Sequence, residues 1–259
     1  MISKLDFQVN EFPPELFARI TAALEVARDL GRPALAAFDA DGTLWDTDIG
    51  EGFFEFELRE GLLSGLPPDP VARYREMKLV DKPAAYAWLA QINAGHALEQ
   101  VRAWARAAVD ARPGGLPIFA SQRRLIDHLR SLNFEIYVVT ASIKWAVEPA
   151  AARLGIDADH VLGITTHVSA AGVVGTEWTL PITWREGKAE RLLQATGGRR
   201  PVLASGNTYG DIALLESATD VRLAVSTQSA AGELHEEERR LWAEAEARGW
   251  YAHAFRQLE

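Results

Sequence analysis

The feature that most constrains the fold is an alternation of short apolar runs with helical patterns. A first run covers residues 34–38 and is bounded by turn residues, as is typical of a buried strand. Further runs cover residues 134–139, 161–168, 173–180, 202–204 and 221–225. Strands that alternate with helices indicate a mostly parallel sheet covered on both faces. We therefore predict an α/β fold with a doubly wound, Rossmann-like parallel sheet.

Helical patterns occupy most of the chain between these runs. We predict helices over residues 13–30, 118–132, 143–154, 188–196, 211–217 and 232–248. The charged run at residues 236–240, Glu-Glu-Glu-Arg-Arg, predicts a solvated helix face. Residues 169–172, Ser-Ala-Ala-Gly, predict a hairpin between two strands. The aromatic segment 250–255 is suited to docking either on the core or on a second subunit.

Residues 49–112 interrupt the alternation of strands and helices. An aromatic helical stretch opens this segment, a proline-rich break follows at residues 67–70, and residues 83–94 and 97–111 have helical patterns. No convincing strand occurs here. We predict that residues 1–48 and 113–259 form the α/β core, and that residues 49–112 form an inserted helical cap subdomain.

The composition argues against several classes of protein. A net charge of -9 is unfavourable for binding nucleic acid, although a local cationic site would still accept a small phosphorylated substrate. The absence of cysteine excludes disulfides, thiolate metal sites and a cysteine nucleophile. The first ten residues lack a signal-peptide pattern, and no apolar run approaches the ~20 residues that cross a bilayer. We expect a cytoplasmic protein without nucleic-acid or membrane partners; its oligomeric state stays open.

Two carboxylates follow the first predicted strand, at the edge where parallel sheets bind ligands. Asp39 and Asp41 are one residue apart and precede Gly42 and Thr43. A charged group at such a position needs a cation or hydrogen bonds. Gly42 permits a sharp turn and a close approach of the backbone to a ligand.

Polar residues also follow the second predicted strand. Thr140, Ala141 and Ser142 come before a helix, so the threonine hydroxyl and backbone N–H groups favour an anion there. Lys188 begins another predicted helix, where its positive charge is repelled by the positive end of the helix macrodipole. This position is tolerable if the ammonium group faces an anion. Arg185 is a rival cation three residues earlier.

A third polar group follows the predicted strand at residues 202–204. Asn207 supplies an amide oxygen and Asp211 a carboxylate, in a loop whose glycines permit a tight turn. These are oxygen ligands of the kind that Mg²⁺ prefers. None of the six histidines shows a paired spacing typical of metal ligands.

Taken in order, these motifs resemble the haloacid dehalogenase superfamily of phosphatases over roughly residues 34–225. The motifs are Asp-x-Asp-Gly-Thr, a strand-end Thr, a Lys and Gly-Asn-x-x-x-Asp. The insertion after the first motif is similar to the helical cap of the phosphoserine phosphatase-like branch. The resemblance implies a magnesium-dependent phosphatase that hydrolyses a small phosphomonoester through an aspartyl-phosphate.

The resemblance also implies a role for each motif residue. Asp39 would be the nucleophile, and Asp41 the general acid and then the base. Thr140 and Lys188 would hold the transferring phosphoryl group. The implied metal ligands are Asp39, Asp41 through its backbone carbonyl, Asn207 and Asp211. The implied substrate-binding residues are Gly42, Thr43, Asp48, Glu51, Ala141 and Ser142.

Two departures from the family pattern bear on the substrate. Asn207 stands where an acidic residue is more usual, so one negative charge is lost, and a Gly-Asn loop occurs in relatives that act on phosphorylated amino alcohols. Phosphoserine phosphatases place a Glu in the loop after the first motif, a role left here to Asp48 or Glu51. The expected substrate is a phosphorylated amino acid or amino alcohol, similar to phosphoserine or phosphocholine.

Several interpretations stay open from sequence alone. Aromatic residues in and before the cap are interpreted as cap core or as a wall for a cationic head group; they are Trp45, Phe53, Phe54, Phe56, Tyr86, Trp88 and Trp104. A phosphotransferase or mutase of the same superfamily is a second function. A binding module that senses a phosphorylated metabolite is a third. A dehalogenase has no evident use for Asp41.

Overall fold

The computed structural model describes residues 12–27, 33–227 and 233–255. Residues 1–10, which lack a signal-peptide pattern, lie outside this range. The end of the helix predicted over residues 13–30 also lies outside it, since the helix is described from Pro14 to Ala27. None of the described helices is both long enough and apolar enough to cross a membrane.

A six-stranded sheet forms the centre of the molecule, and every pairing in it is parallel. Its strands are β1 (Leu35–Phe38), β2 (Glu135–Ile143), β3 (Val161–Ile164), β6 (Leu203–Gly206), β7 (Val221–Ser226) and β8 (Tyr251–Ala254). Their order is β3-β2-β1-β6-β7-β8. The chain therefore adds β2 and β3 on one side of β1. It then crosses over and adds β6, β7 and β8 on the other side. The prediction of a parallel, doubly wound α/β sheet is confirmed.

Helices precede or connect these strands, as the alternating pattern predicts. They are α1 (Pro14–Ala27), α6 (Ala120–Ser131), α7 (Lys144–Ala152), α8 (Glu186–Ala195), α9 (Ile212–Ser217) and α10 (Glu233–Arg248). A short 3-10 turn, Tyr209–Asp211, precedes α9. Strands buried on both faces explain why their sequences are apolar without alternation.

The segment between β1 and α6 contains only helices among its regular elements. They are α2 (Ile49–Arg59), α3 (Pro70–Val80), α4 (Lys82–Gln91) and α5 (Leu98–Asp110). We did not predict α3, because we interpreted the prolines at residues 67–70 as a break. Pro70 in fact begins this helix, where the missing N–H costs nothing, and the Asp69 side chain accepts a hydrogen bond from Ala72 N.

A two-stranded antiparallel hairpin lies outside the main sheet. Its strands are β4 (Thr166–Val168) and β5 (Val174–Trp178), and they flank the turn that we predicted. Backbone hydrogen bonds join the hairpin to the helical segment, from Gly95 N to Val174 O and from Leu98 N to Gly172 O. The helical segment and the α/β core also share one hydrophobic core, which includes both Phe53 and Phe38.

Three strand predictions differ from the structure. Residues 161–168, predicted as one strand, form β3 in the main sheet and β4 in the hairpin. We ended the second strand at Val139, but β2 continues to Ile143, with an irregular register against β3 between these residues. Thr140, Ala141 and Ser142 therefore lie within the strand and not after it. We also predicted no strand after α10, but β8 pairs with β7, and Phe255 stacks on Phe119 with ring centroids 3.9 Å apart. The aromatic segment thus docks on the core.

Candidate active site

A cavity of about 310 Å³ opens at the carboxyl ends of the central strands. It lies where β1 and β6 neighbour each other, the point at which the chain changes sides of the sheet. Asp39 and Asp41 follow β1, Thr140 lies in β2 and Asn207 follows β6. Of the residues that we predicted, those lining the cavity are Asp39, Asp41, Gly42, Asp48, Glu51, Thr140, Ala141, Ser142, Lys188 and Asn207.

The ammonium group of Lys188 bridges two buried carboxylates. Its Nζ lies 2.6 Å from Asp39 Oδ1 and 2.5 Å from Asp211 Oδ1, and all three side chains are almost fully buried. Burial raises the pKa of Asp39 to about 7, with a contribution from the charge of Asp211 and an opposing effect of Lys188. Burial alone would lower the pKa of Lys188, but its attraction to Asp211 and Asp39 raises it above the ordinary value.

The position of Lys188 depends on the turn that starts α8. Gly187 packs so closely against the carbonyl oxygen of Ile182 that a β-carbon there would collide with it. The glycine lets the first turn of α8 approach the preceding loop, and this places Lys188 beside Asp39 at the carboxyl end of β1. Arg185, the rival cation, is absent from the cavity lining; its guanidinium lies over the ring of Trp184, 4.4 Å from the centroid.

The carboxyl group of Asp41 points away from Lys188 toward the start of α2. Its Oδ1 accepts hydrogen bonds from Trp45 Nε1 at 2.7 Å and from the backbone N of Ile49 at 2.9 Å. Its Oδ2 accepts a bond of 2.6 Å from Ser142 Oγ. Burial raises the pKa of Asp41, and these hydrogen bonds oppose that effect. Asp41 is thus a carboxyl group held in a fixed orientation, with its pKa above the ordinary value.

Thr43 joins Asp39 to the loop after β6. Its hydroxyl lies 2.9 Å from Asp39 Oδ2 and 3.3 Å from Asn207 Oδ1. Gly42 has a φ of +74°, and a β-carbon there would collide with Asn207 Nδ2. The glycine is therefore required both by the turn after Asp39 and by the close approach of Asn207.

Asp211 organises the loop that carries Asn207. Its Oδ2 accepts hydrogen bonds from the backbone N of Asn207 at 3.2 Å and of Thr208 at 3.0 Å, and from Thr208 Oγ1 at 3.0 Å. Its Oδ1 faces Lys188. Asp211 thus reaches the site through Lys188 and the loop, and it does not line the cavity itself.

The irregular part of β2 forms the opposite wall. Thr140 Oγ1 accepts a bond of 3.0 Å from the backbone N of Ser142, and its carbonyl oxygen accepts one of 2.6 Å from Thr183 Oγ1. These bonds hold the residues within the strand so that the Thr140 and Ser142 side chains line the cavity. The hydroxyls are at the edge that we predicted, although the strand continues through them.

Acidic and aromatic side chains from residues 48–86 line the outer part of the cavity. Glu51 accepts hydrogen bonds from Tyr74 Oη at 3.0 Å and from Lys78 Nζ at 2.6 Å. Asp48 caps α2 through a bond of 2.7 Å from Glu51 N to its Oδ1. Tyr74 and Tyr86 line the cavity, and Lys78 Nζ lies 5.4 Å and 5.8 Å from their ring centroids.

The aromatic residues that we considered as a wall for a cation divide between two roles. Tyr86 lines the cavity, while the others are absent from its lining. Phe53 and Phe54 are buried in the core, and Trp104 packs edge-on against His96. Tyr74 and Lys78 escaped the sequence analysis because their helix was not predicted. Glu238 escaped it because we assigned the charged run to solvent, yet it is 4% exposed and bonded to Asn207.

The donors around Asp39 fit a hard divalent cation. No three His, Cys, Asp or Glu side chains of the described residues converge as a metal cluster. The available donors are all oxygen atoms, from the Asp39 carboxylate, the Asn207 amide and the backbone. One ammonium faces two buried carboxylates, which leaves a negative charge for a cation to balance. Mg²⁺ suits such a sparse oxygen set, because it keeps several of its waters.

Comparison with known proteins agrees with this geometry. Residues 36–216 match the family model of haloacid dehalogenase-like hydrolases. Phosphorylcholine phosphatase of Pseudomonas aeruginosa is 23% identical, in an alignment covering 78% of this chain and 75% of that protein.

Two solved structures share the fold. A protein with unknown function from Bordetella pertussis Tohama I has a TM-score of 0.67 and 20% identity, covering 85% of this chain and 98% of that chain. A phospho-aspartyl intermediate analogue of phosphoserine phosphatase has a TM-score of 0.52 and 14% identity, covering 87% and 95%. The predicted superfamily and the prediction of a hydrolase are confirmed. Since the family model spans more than half of the chain, this protein belongs to the haloacid dehalogenase-like hydrolase family.

Proposed function

We propose that this chain is a magnesium-dependent phosphatase that hydrolyses small phosphomonoesters through an aspartyl-phosphate on Asp39. The observation that carries the proposal is the meeting, in one small cavity, of the Asp39 carboxylate, the Lys188 ammonium and the separately oriented carboxyl group of Asp41. Family membership and a relative named as a phosphatase support the same reaction.

In the first step, a carboxylate oxygen of Asp39 attacks phosphorus, and the bond from phosphorus to the ester oxygen breaks. Asp41 donates its proton to the departing oxygen, so the alcohol leaves neutral. Thr43, bonded to Asp39 Oδ2, orients the attacking carboxylate. Lys188 and the Thr140 hydroxyl offset the negative charge that otherwise repels an anionic nucleophile from phosphate.

In the second step, Asp41 removes a proton from water, and the resulting hydroxide attacks the phosphorus of the aspartyl-phosphate. The bond between phosphorus and Asp39 breaks, inorganic phosphate leaves, and both carboxyl groups return to their starting states. Asp41 can serve both steps because its hydrogen bonds to Trp45 and Ile49 hold it apart from Asp39.

Asp39, the backbone carbonyl of Asp41, Asn207 and, through water, Asp211 would hold Mg²⁺. When bound, the ion neutralises charge on the phosphoryl oxygens, a Lewis-acid contribution of several kcal/mol. Lys188 would stay beside Asp39 and contact the phosphoryl group.

The outer cavity supports a substrate whose alcohol carries a positive charge, namely a phosphorylated amino alcohol or amino acid. Tyr74, Tyr86, Asp48 and Glu51 face the cavity from residues 48–86. Burial raises the pKa of Asp48 to about 8, so Glu51 is the acid that carries negative charge here near neutral pH. One cation, Lys78, already pairs with Glu51 and lies near both tyrosine rings, so a cationic head group would have to displace this lysine from the wall. In the proposed arrangement, residues 49–112 form a cap that restricts the site to small molecules and excludes bulk water.

Phosphate release from a panel of monoesters tests both parts of this proposal. The panel contains phosphocholine, phosphoethanolamine, phosphoserine and, as a neutral control, glycerol phosphate. We expect magnesium-dependent release with the highest kcat/KM for the cationic head groups. Equal release of free alcohol and inorganic phosphate would show that water is the acceptor, whereas phosphate transferred to a second alcohol would indicate a phosphotransferase.

Variants of Tyr86 separate the reaction from the choice of substrate. Tyr86→Leu should lower kcat/KM for phosphocholine by about tenfold, because a cation–π contact contributes roughly 1–2 kcal/mol. It should leave glycerol phosphate within about threefold of wild type, and Tyr86→Phe should behave as wild type with both. Equal kcat/KM across the panel would contradict the cationic substrate, and no release from any monoester would contradict a phosphatase.

A further inference from the structure

Glu238 on α10 faces the interior while its charged neighbours face solvent. Its side chain is 4% exposed, whereas Arg239 and Arg240 are exposed. Leu241 and Ala245, three and seven residues further along the helix, are buried on the same side. Glu238 thus occupies a position on the apolar face of the helix, where an ionisable side chain is costly unless it is bonded.

The carboxylate of Glu238 accepts hydrogen bonds from four donors of the described residues. Oε1 accepts from the backbone N of Thr227 at 3.1 Å, from Thr227 Oγ1 at 2.7 Å and from Asn207 Nδ2 at 3.4 Å. Oε2 accepts from Ser226 Oγ at 2.8 Å. The hydrogen bonds from β7 and the residue after it fix the carboxylate, so the contact with Asn207 has a defined place and direction.

An asparagine side chain can lie in either of two orientations of almost equal shape, and its hydrogen-bond partners choose between them. On one side of Asn207 lies the hydroxyl of Thr43, which is closer to Asp39 Oδ2, at 2.9 Å, than to Asn207 Oδ1, at 3.3 Å, so the single proton of Thr43 does not by itself hold the amide in this orientation. On the other side lies Glu238, which only accepts. Glu238 is therefore the partner that holds Nδ2 of Asn207 toward itself, so that Oδ1 faces the opposite way, toward Asp39.

We propose that Glu238 is a positioning residue that turns the amide oxygen of Asn207 toward the metal site. This inference rests on the proposed function, since it concerns a ligand of the proposed Mg²⁺. An aspartate at position 207 needs no such partner, because its two oxygens are equivalent. The asparagine needs one, and the buried acid supplies it from a helix distant in the chain. Glu238 also places a negative charge behind Asn207, the proposed metal ligand whose amide is uncharged.

The roles of the two positions predict how their variants combine. Glu238→Leu removes the acceptor and leaves the orientation of Asn207 unspecified. Asn207→Asp alone brings two carboxylates into contact, at about the 3.4 Å now spanned by the hydrogen bond, so it should be unfavourable. In the double variant Asn207→Asp/Glu238→Leu, the carboxylate at position 207 needs no orienting partner because its two oxygens are equivalent. It also faces a leucine and not a second carboxylate, so the repulsion is absent.

Calorimetric titration of the metal-free protein with MgCl₂, without substrate, tests this account. We expect Glu238→Leu to weaken Mg²⁺ binding by about 10- to 100-fold, as is typical for a residue that orients a metal ligand. Glu238→Gln keeps an acceptor at the position of Oε1 and should bind within about threefold of wild type. Asn207→Asp should bind more weakly than wild type, and the double variant should bind more tightly than Glu238→Leu. Thermal unfolding of each variant without metal provides the control for folding.

The outcomes separate this inference from the proposed function. Wild-type Mg²⁺ affinity in folded Glu238→Leu would overturn the positioning role, and so would a double variant that binds no better than Glu238→Leu. The latter result would mean that Glu238 supports only the packing of α10. A wild-type protein that binds no Mg²⁺ at all would contradict the proposed function, and this inference with it.

Discussion

At the scale of single residues, Asp39 and Asp41 differ in their surroundings more than in their chemistry. Asp39 faces an ammonium group and a second carboxylate, whereas Asp41 faces neutral donors from Trp45, Ile49 and Ser142. Two carboxyl groups with such different environments can perform different tasks at the same pH. The spacing of one residue places both at the same edge of the sheet, and their different hydrogen-bond partners hold the two carboxyl groups in different orientations.

Ser142 is the partner through which the orientation of Asp41 can be tested. Ser142→Ala removes the bond of 2.6 Å to Asp41 Oδ2 and should lower kcat/KM for an alkyl phosphate on the order of tenfold. An aryl phosphate, whose leaving group needs little proton donation, should lose less. Steady-state kinetics with the two substrates checks this. An equal loss for both would mean that Ser142 acts on binding and not on proton transfer.

Single residues also mark the limit of prediction from this sequence. Asp39, Asp41, Lys188 and Asn207 could be predicted, because each follows a strand or opens a helix in a recognisable order. Glu238 could not, because the charged run around it resembles a solvated face. The apolar spacing to Leu241 and Ala245 was the available signal. Burial of one acid in such a run depends on donors from a strand, Ser226 among them, that the local pattern does not contain.

At the scale of elements, α2 carries a buried acid that is unrelated to the proposed chemistry. Glu57 is 0% exposed, and neither of its oxygens has a hydrogen-bond partner among the described residues. Burial raises its pKa to about 8, against a smaller opposing effect of the nearby Asn93 amide. The unfolded chain therefore releases this proton near pH 4.5, while the folded chain keeps it until about pH 8, so stability falls as pH rises between these values.

Glu57→Gln should remove this pH dependence. Relative to wild type, the free energy of unfolding of the variant should be nearly unchanged at about pH 4.5 and higher by on the order of 2–4 kcal/mol at about pH 8. Urea unfolding at both pH values measures it. Glu55→Gln, an exposed acid on the same helix, is the matched control. The same difference at both pH values would show that Glu57 does not titrate in this range.

The elements themselves were predicted where periodicity and flanking turns agreed. Most central strands and connecting helices fall close to their predicted bounds, because buried parallel strands are apolar throughout, but β2 continues to Ile143 beyond its predicted end at Val139. The exceptions have local causes. Pro70 begins α3 where we took it to interrupt a helix. The strand β8 is only four residues long, and what makes it a strand is its pairing with β7, which is distant in the chain.

At the scale of the whole molecule, the topology of the sheet brings the site together. Residues from β1, from β2 and from the loop after β6 meet only because these three strands are adjacent at the centre of the sheet. Side chains of the helical segment 49–110 line the outer part of the cavity, because this segment follows the first motif directly in the chain. The alternation of strands and helices predicted this convergence, whereas the shape of the outer cavity depends on side-chain packing among helices.

The most direct test of the central claim is to trap the intermediate. Wild-type protein mixed with Mg²⁺ and a phosphomonoester, quenched in acid and digested, should yield a phosphorylated peptide containing Asp39 by mass spectrometry. Asp39→Asn should fold as wild type, yield no such peptide and release no phosphate. Turnover that persists in Asp39→Asn, or a phosphoryl group found on a different residue, would contradict the account.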